Sequence, residues 1–246
     1  METVKKINPL KIFAFLSFSI ILLAIVVSLT YSFILNLALS FAFYATGLFV
    51  AYFAIGTGLK FVDDAYDNNR FSKKHAAFAA TSGLVLMLWA SLVDVQSAAI
   101  FLALVLATTV TLKTRHPPFL AATIAFIALF LLFGKPFEID WLLFVVIFAS
   151  FFADEIGAEL AKKLINKKIN PQNLQSVKYV WKGHHTALYI LRNRYIAIAA
   201  LLALVLAGWI PLLYCLAYYF LGLGYVLVEG ISQELSAQEI VMRLIF

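Results

Sequence analysis

The sequence predicts an all-α polytopic membrane protein, a single integral membrane domain of about eight spans in two four-helix halves, near 12–115 and 118–230. Three observations carry that prediction. Of the 246 residues 63% are AVILMFWYC, against about 45–50% apolar in soluble domains. Only 13% are charged, about half the usual share. The apolar residues also fall in runs close to the roughly 20 that a helical span requires, too long for barrel strands.

The first run, from Ile12 to about Lys60, is long enough for two spans, with Thr30, Ser32 and Asn36 marking the turn between them. Further spans are expected at about 75–93, 97–113, 118–134, 140–160, 195–208 and 210–230. The seventh is short for a crossing, which puts its start back in the Tyr189–Arg194 stretch. No small-residue cleavage site closes the first run, so a removable secretory signal is not expected there. Between spans six and seven lies a basic loop, 161–194. Within it, basic residues alternate with Leu174, Val177, Val180, Trp181, Leu188 and Leu191, the pattern of an interfacial helix. Gly56, Gly58, Gly222 and Gly224 allow spans two and eight to approach closely.

A net charge of +6 on a soluble chain would suggest nucleic acid. Its placement points elsewhere. With the N-terminus in the cytoplasm, 18 of the 19 Lys and Arg fall on the cytoplasmic side and only Lys135 lies outside. The positive-inside rule therefore predicts a cell-membrane protein with both termini cytoplasmic. The charge then serves topology and attraction to anionic membrane lipids, with no nucleic acid partner. A single cysteine, Cys215, and four histidines leave no internal disulfide and no Cys/His metal framework.

The acids carry more information, because the positive-inside rule does not sort them. Six of the 13 sit in two clusters: Asp63, Asp64 and Asp67 at the end of span two, and Asp154, Glu155 and Glu159 at the end of span six. The clusters are 91 residues apart, four spans with their loops, so each half carries one in the same place. Spacings of four put Asp63 with Asp67, and Glu155 with Glu159, on one helix face. Acids at one cytoplasmic helix end are commonly solvated surface; two clusters in matched positions favour a shared task. Oxygen-only ligand clusters suit a hard divalent cation, and Mg²⁺ takes one or two carboxylates and shares the rest of its shell with water and phosphate. Two such clusters are fit to clamp a diphosphate. Lys113 and Arg115, after span four on the same side, are placed to neutralise phosphate oxygens, although basic residues at a cytoplasmic helix end also serve as plain topological anchors.

An eight- or nine-span bundle with acids after its second and sixth helices and a basic segment after its fourth resembles the UbiA superfamily of intramembrane prenyltransferases. Asp63-Asp64-Ala65-Tyr66-Asp67 is similar to that family's Asn-Asp-x-x-Asp-x-x-x-Asp, with Asp for the leading Asn and Phe71 where the last Asp stands. Glu155-x-x-x-Glu159 resembles its Asp-x-x-x-Asp motif with Glu for Asp, and Lys163 stands where an extended version has Asp. Leu112-Lys113-Thr114-Arg115 is similar to its Leu-Lys-Arg segment. The resemblance implies a UbiA-like bundle and Mg²⁺-dependent transfer of a prenyl group from an isoprenoid diphosphate to a lipophilic aromatic or hydroxyl acceptor. It implies metal ligation by Asp63, Asp64, Asp67, Asp154, Glu155 and Glu159, with diphosphate held by Lys113, Arg115, Arg70 and Lys73. The competing expectations are a carboxylate-based cation transporter, ranked lower because such sites lie nearer the bilayer midplane, and a non-catalytic membrane protein of the same fold.

Overall fold

The computed structural model describes residues 9–67, 69–111, 116–168 and 195–232. Among them are eight α-helices and no strand: α1 (Pro9–Ile34), α2 (Leu39–Asp67), α3 (Lys73–Val93), α4 (Val95–Val110), α5 (Pro117–Phe133), α6 (Trp141–Lys168), α7 (Tyr195–Leu206) and α8 (Leu212–Ser232). Five are long and apolar enough to cross a membrane, namely Ser17–Ile34 of α1, all of α2, α3 and α8, and Trp141–Leu160 of α6. The other three are shorter apolar helices. This is the make-up of a helical membrane protein.

Several helix ends follow from local chemistry. Asn36, at φ 51°, takes the left-handed turn between α1 and α2, a conformation asparagine tolerates better than most residues. One residue, Asp94, separates α3 from α4, and it caps α4 by accepting the Ser97 N–H. Asp140 caps α6 in the same way, its Oδ1 accepting the N–H groups of Leu142 and Leu143 at 3.0 and 3.1 Å. Pro117 opens α5, where its missing N–H costs nothing. Gly208, at φ 75°, ends α7 as the Trp209 N–H returns to the Leu204 carbonyl at 2.9 Å.

Two helices differ in length from the expected spans. α4 stops at Val110, and the hydroxyls of Thr108, Thr109 and Thr111 fold back onto carbonyls of their own helix, a competition that weakens helix continuation. α6 runs on to Lys168, beyond the apolar span, since no Gly or Pro interrupts the sequence between Gly157 and Pro171. The expected earlier start of the seventh span and the interfacial segment lie outside the described residues.

The outer face of the helices carries many large apolar side chains, which a soluble protein would bury. On α1 the buried positions Ile20, Ala24, Ser28 and Ser32 recur every four residues and are mostly small, while Phe18, Leu22, Val26 and Phe33 face outward. Small residues let helix backbones approach, and large apolar side chains suit lipid. The Ser28 hydroxyl is satisfied within its helix, donating to the Ala24 carbonyl at 2.8 Å.

The chain forms two compact units, one from Met1–Ala90, His116–Leu129 and Leu216–Phe246, the other from Ser91–Arg115 and Phe130–Cys215. In the first, α1 packs on α2, whose Leu48, Phe49, Tyr52 and Ile55 are fully buried. Phe49 stacks on Phe220 of α8 with ring centroids 4.8 Å apart. In the second, α6 packs on α4 and α7, and Phe101, Ile147, Phe151 and Leu201 are among its buried side chains.

Candidate functional site

The first acidic motif occupies the last turns of α2, and two glycines determine its surroundings. A Cβ at Gly56 would strike the Leu221 carbonyl, and one at Gly224 would strike the Phe53 carbonyl and sit 2.8 Å from Thr57 Oγ1. Only glycine permits this approach. A turn beyond the contact, α2 presents Lys60, Asp63 and Asp64, and α8 presents Tyr225 and Glu229.

Those side chains form one network. Lys60 Nζ lies 3.2 Å from Asp64 Oδ1 and 3.9 Å from Glu229 Oε1. It also sits 5.1 Å from the centre of the Tyr225 ring, a cation–π contact. The Tyr225 hydroxyl donates to Asp63 Oδ2 at 3.4 Å. Asp64 is 1% exposed, a depth at which a carboxylate requires compensation. The ammonium one turn earlier supplies it.

Asp67 is exposed and pairs with His116, whose Nε2 is 2.9 Å from Asp67 Oδ1. The imidazole sits against Tyr66 and Phe119, with ring centroids 5.2 and 6.5 Å away. Lys73 Nζ lies 5.5 Å from the centre of the same Tyr66 ring. Arg70 is exposed; its N–H closes the end of α2 on the Asp64 carbonyl at 3.2 Å, after the left-handed turn at Asn69. Phe71 stacks on Phe61 at 4.1 Å and packs against a small core of Val62, Ala65, Ala76 and Ala80.

The second motif lies within α6, not at its end. Asp154 and Glu155 are 3% and 4% exposed, and Glu159 is exposed. The two oxygens of Asp154 accept the N–H groups of Ile196 and Ala197 at 2.9 and 2.8 Å. Asp154 therefore caps the first turn of α7 from a different helix, satisfying two donors that the helix itself leaves unpaired. Along α6 the rings of Trp141, Phe144, Phe148 and Phe152 follow one another with centroids 5.5, 6.1 and 5.9 Å apart. Their spacing of three and four continues to Glu155 and Glu159, so the ladder and both glutamates share a face.

Among the described residues no group of three or more His, Cys, Asp or Glu is arranged to hold a metal ion. The donor chemistry nonetheless suits Mg²⁺, which binds through one or two carboxylates and completes its shell with water and phosphate oxygens. Asp63, Asp64 and Asp67 on α2 and Glu155 and Glu159 on α6 offer such oxygens. Asp154 fits less well, because its carboxylate is engaged by α7. Lys113 and Arg115 lie outside the described residues.

Three residues of this network carried no signal in the motifs: Lys60, Tyr225 and Glu229. The available hint was the pairing of glycines on spans two and eight, which sets Lys60 opposite Tyr225 and Glu229 once Gly56 meets Leu221. The chain matches no family model, no curated protein and no solved structure.

Proposed function

We propose that the protein is a Mg²⁺-dependent intramembrane prenyltransferase of about eight spans with a UbiA-like bundle and both termini in the cytoplasm. The observation that carries the proposal is the burial of Asp64 and Glu155, at 1% and 4% exposure, on two apolar helices. Buried carboxylates are costly in a membrane protein, and those that persist there usually serve a ligand, an ion or a proton.

In this reading Asp63, Asp64 and Asp67 would hold Mg²⁺ and with it the headgroup of an isoprenoid diphosphate, and Glu155 and Glu159 on α6 carry the same donor chemistry. Arg70 and Lys73 supply positive charge to the outer oxygens of the diphosphate, together with Lys113 and Arg115. Mg²⁺, when bound, stabilises the charge that develops on the departing diphosphate. Transfer breaks the bond between the prenyl carbon and oxygen, and the electron pair leaves with diphosphate. The acceptor nucleophile, an aromatic carbon or a hydroxyl of a lipophilic molecule, bonds to that carbon and gives up its proton. The aromatic face of α6 leading to Glu155 is suited to keep water from the reacting carbon.

Binding of geranylgeranyl diphosphate to the purified protein, with and without Mg²⁺, tests this. Mg²⁺ should tighten binding to the wild type and have little effect on the double variant Asp64→Ala, Glu155→Ala. Equal affinity in all four conditions removes the enzyme reading. Lys60 favours one second reading, a carboxylate-based cation transporter, because an ammonium held between Asp64 and Glu229 is already a cation among acids. Cation flux in proteoliposomes, lost in Asp64→Asn, would select it.

A further inference from the structure

We propose that Lys60 is a resident counter-cation, a positioning residue that holds Asp64 until a divalent cation arrives and then moves to Glu229. The proposal deepens the metal–diphosphate reading above and rests on it; the geometry comes from α2 and α8. The Lys60 side chain is 12% exposed and has two carboxylates in reach, at 3.2 Å on its own helix and 3.9 Å on α8. A buried ammonium is tolerated only while paired. With two partners it can leave one without losing compensation, and its flexible four-carbon stem allows the short move. The Tyr225 ring, 5.1 Å away, offers a cation-binding face beside both partners. The hydroxyl of the same tyrosine holds Asp63 at 3.4 Å, so α8 touches the ammonium and the motif together.

A divalent ion on either oxygen of Asp64 would repel the ammonium that sits on Oδ1, and Glu229 is where the displaced charge goes. Lys60 thus weakens the binding of metal alone, and Glu229 offsets part of that loss.

Mn²⁺ titration of the full-length protein in detergent, read by electron paramagnetic resonance with no diphosphate present, tests the exchange. Lys60→Met should bind Mn²⁺ at least about tenfold more tightly than the wild type, while Lys60→Arg should stay within about threefold of it, since charge is retained. Glu229→Gln should weaken Mn²⁺ binding in the wild-type background and have no further effect in the Lys60→Met background. Unchanged or weaker binding in a monodisperse, fully helical Lys60→Met protein overturns the proposal. An equal cost of Glu229→Gln in both backgrounds also overturns it, because Glu229 would then act on the metal directly. Geranylgeranyl diphosphate added in a second arm separates the two inferences. If it fails to tighten Mn²⁺ binding in either protein, the prenyltransferase reading falls while the metal-only result still decides the role of Lys60. Absence of Mn²⁺ binding in every variant overturns both.

Discussion

The carboxylate of Asp154 on α6 and the backbone N–H of Ala197 on α7 meet at 2.8 Å across 43 positions of sequence. The neighbouring Ile196 N–H meets the other oxygen of the same group at 2.9 Å. An acid that sits in a run with Glu155 and Glu159 is thus committed to helix architecture, and in the proposed reading the ligands of the second motif are the two glutamates.

Asp154→Ala should lower stability by about 2–4 kcal/mol, the loss of two charge-assisted hydrogen bonds at a buried helix end. Asp154→Asn keeps an acceptor oxygen and should lose about half as much. Reversible unfolding in mixed micelles measures both. Mg²⁺-dependent ligand binding per folded molecule should survive in Asp154→Asn; its loss in the folded variant would return Asp154 to the ligand set.

Glycine variants test the packing that builds the first network. Gly56→Ala and Gly224→Ala each drive a Cβ into a backbone carbonyl and should cost about 1–3 kcal/mol or more by overpacking. Gly222→Ala meets nothing within 4 Å and should be neutral or slightly stabilising. Thermal unfolding of the three variants gives the order. If all three behave alike, α2 and α8 are not in the close contact described.

Periodicity and turn chemistry made the helices legible, because apolar runs of span length leave the backbone few alternatives in lipid. Asn36 and the stretch around Asp94 were readable as breaks for the same reason. The acids of α2 and α6 stood out in the sequence because the positive-inside rule does not explain them. Lys60 did not stand out, since a lysine near a cytoplasmic helix end reads as an anchor. Its pairing with Glu229 depends on a helix contact that two glycines permit but do not specify. Asp154 was hidden for the opposite reason: it belongs to an evident motif, while its hydrogen-bond partners are backbone groups, which no residue type reveals.

A tyrosine hydroxyl supports the turn between α3 and α4. Tyr214 donates to Asp94 Oδ1 at 2.8 Å, and the other oxygen of that carboxylate caps α4 through Ser97. Tyr214→Phe should cost about 1 kcal/mol and Asp94→Ala about 2, with a coupling of about 1 kcal/mol in the double-mutant cycle. Zero coupling in unfolding measurements would mean that the cap does not depend on the tyrosine.

Phe71 stands where the resembled family's first motif has its last acid, and its surroundings are apolar. The ring lies 4.1 Å from Phe61 in a stacked pair and adjoins Val62, Ala65, Ala76 and Ala80. A carboxylate there would lose the aromatic contact and face an apolar wall. Phe71→Asp should therefore destabilise the protein by about 2–4 kcal/mol without strengthening Mn²⁺ binding, whereas Phe71→Leu should cost about 1 kcal/mol. Paired unfolding and metal titrations check both statements. Tighter Mn²⁺ binding in Phe71→Asp would mean that this position still faces the metal, and that the phenylalanine replaced a ligand without closing the site around it.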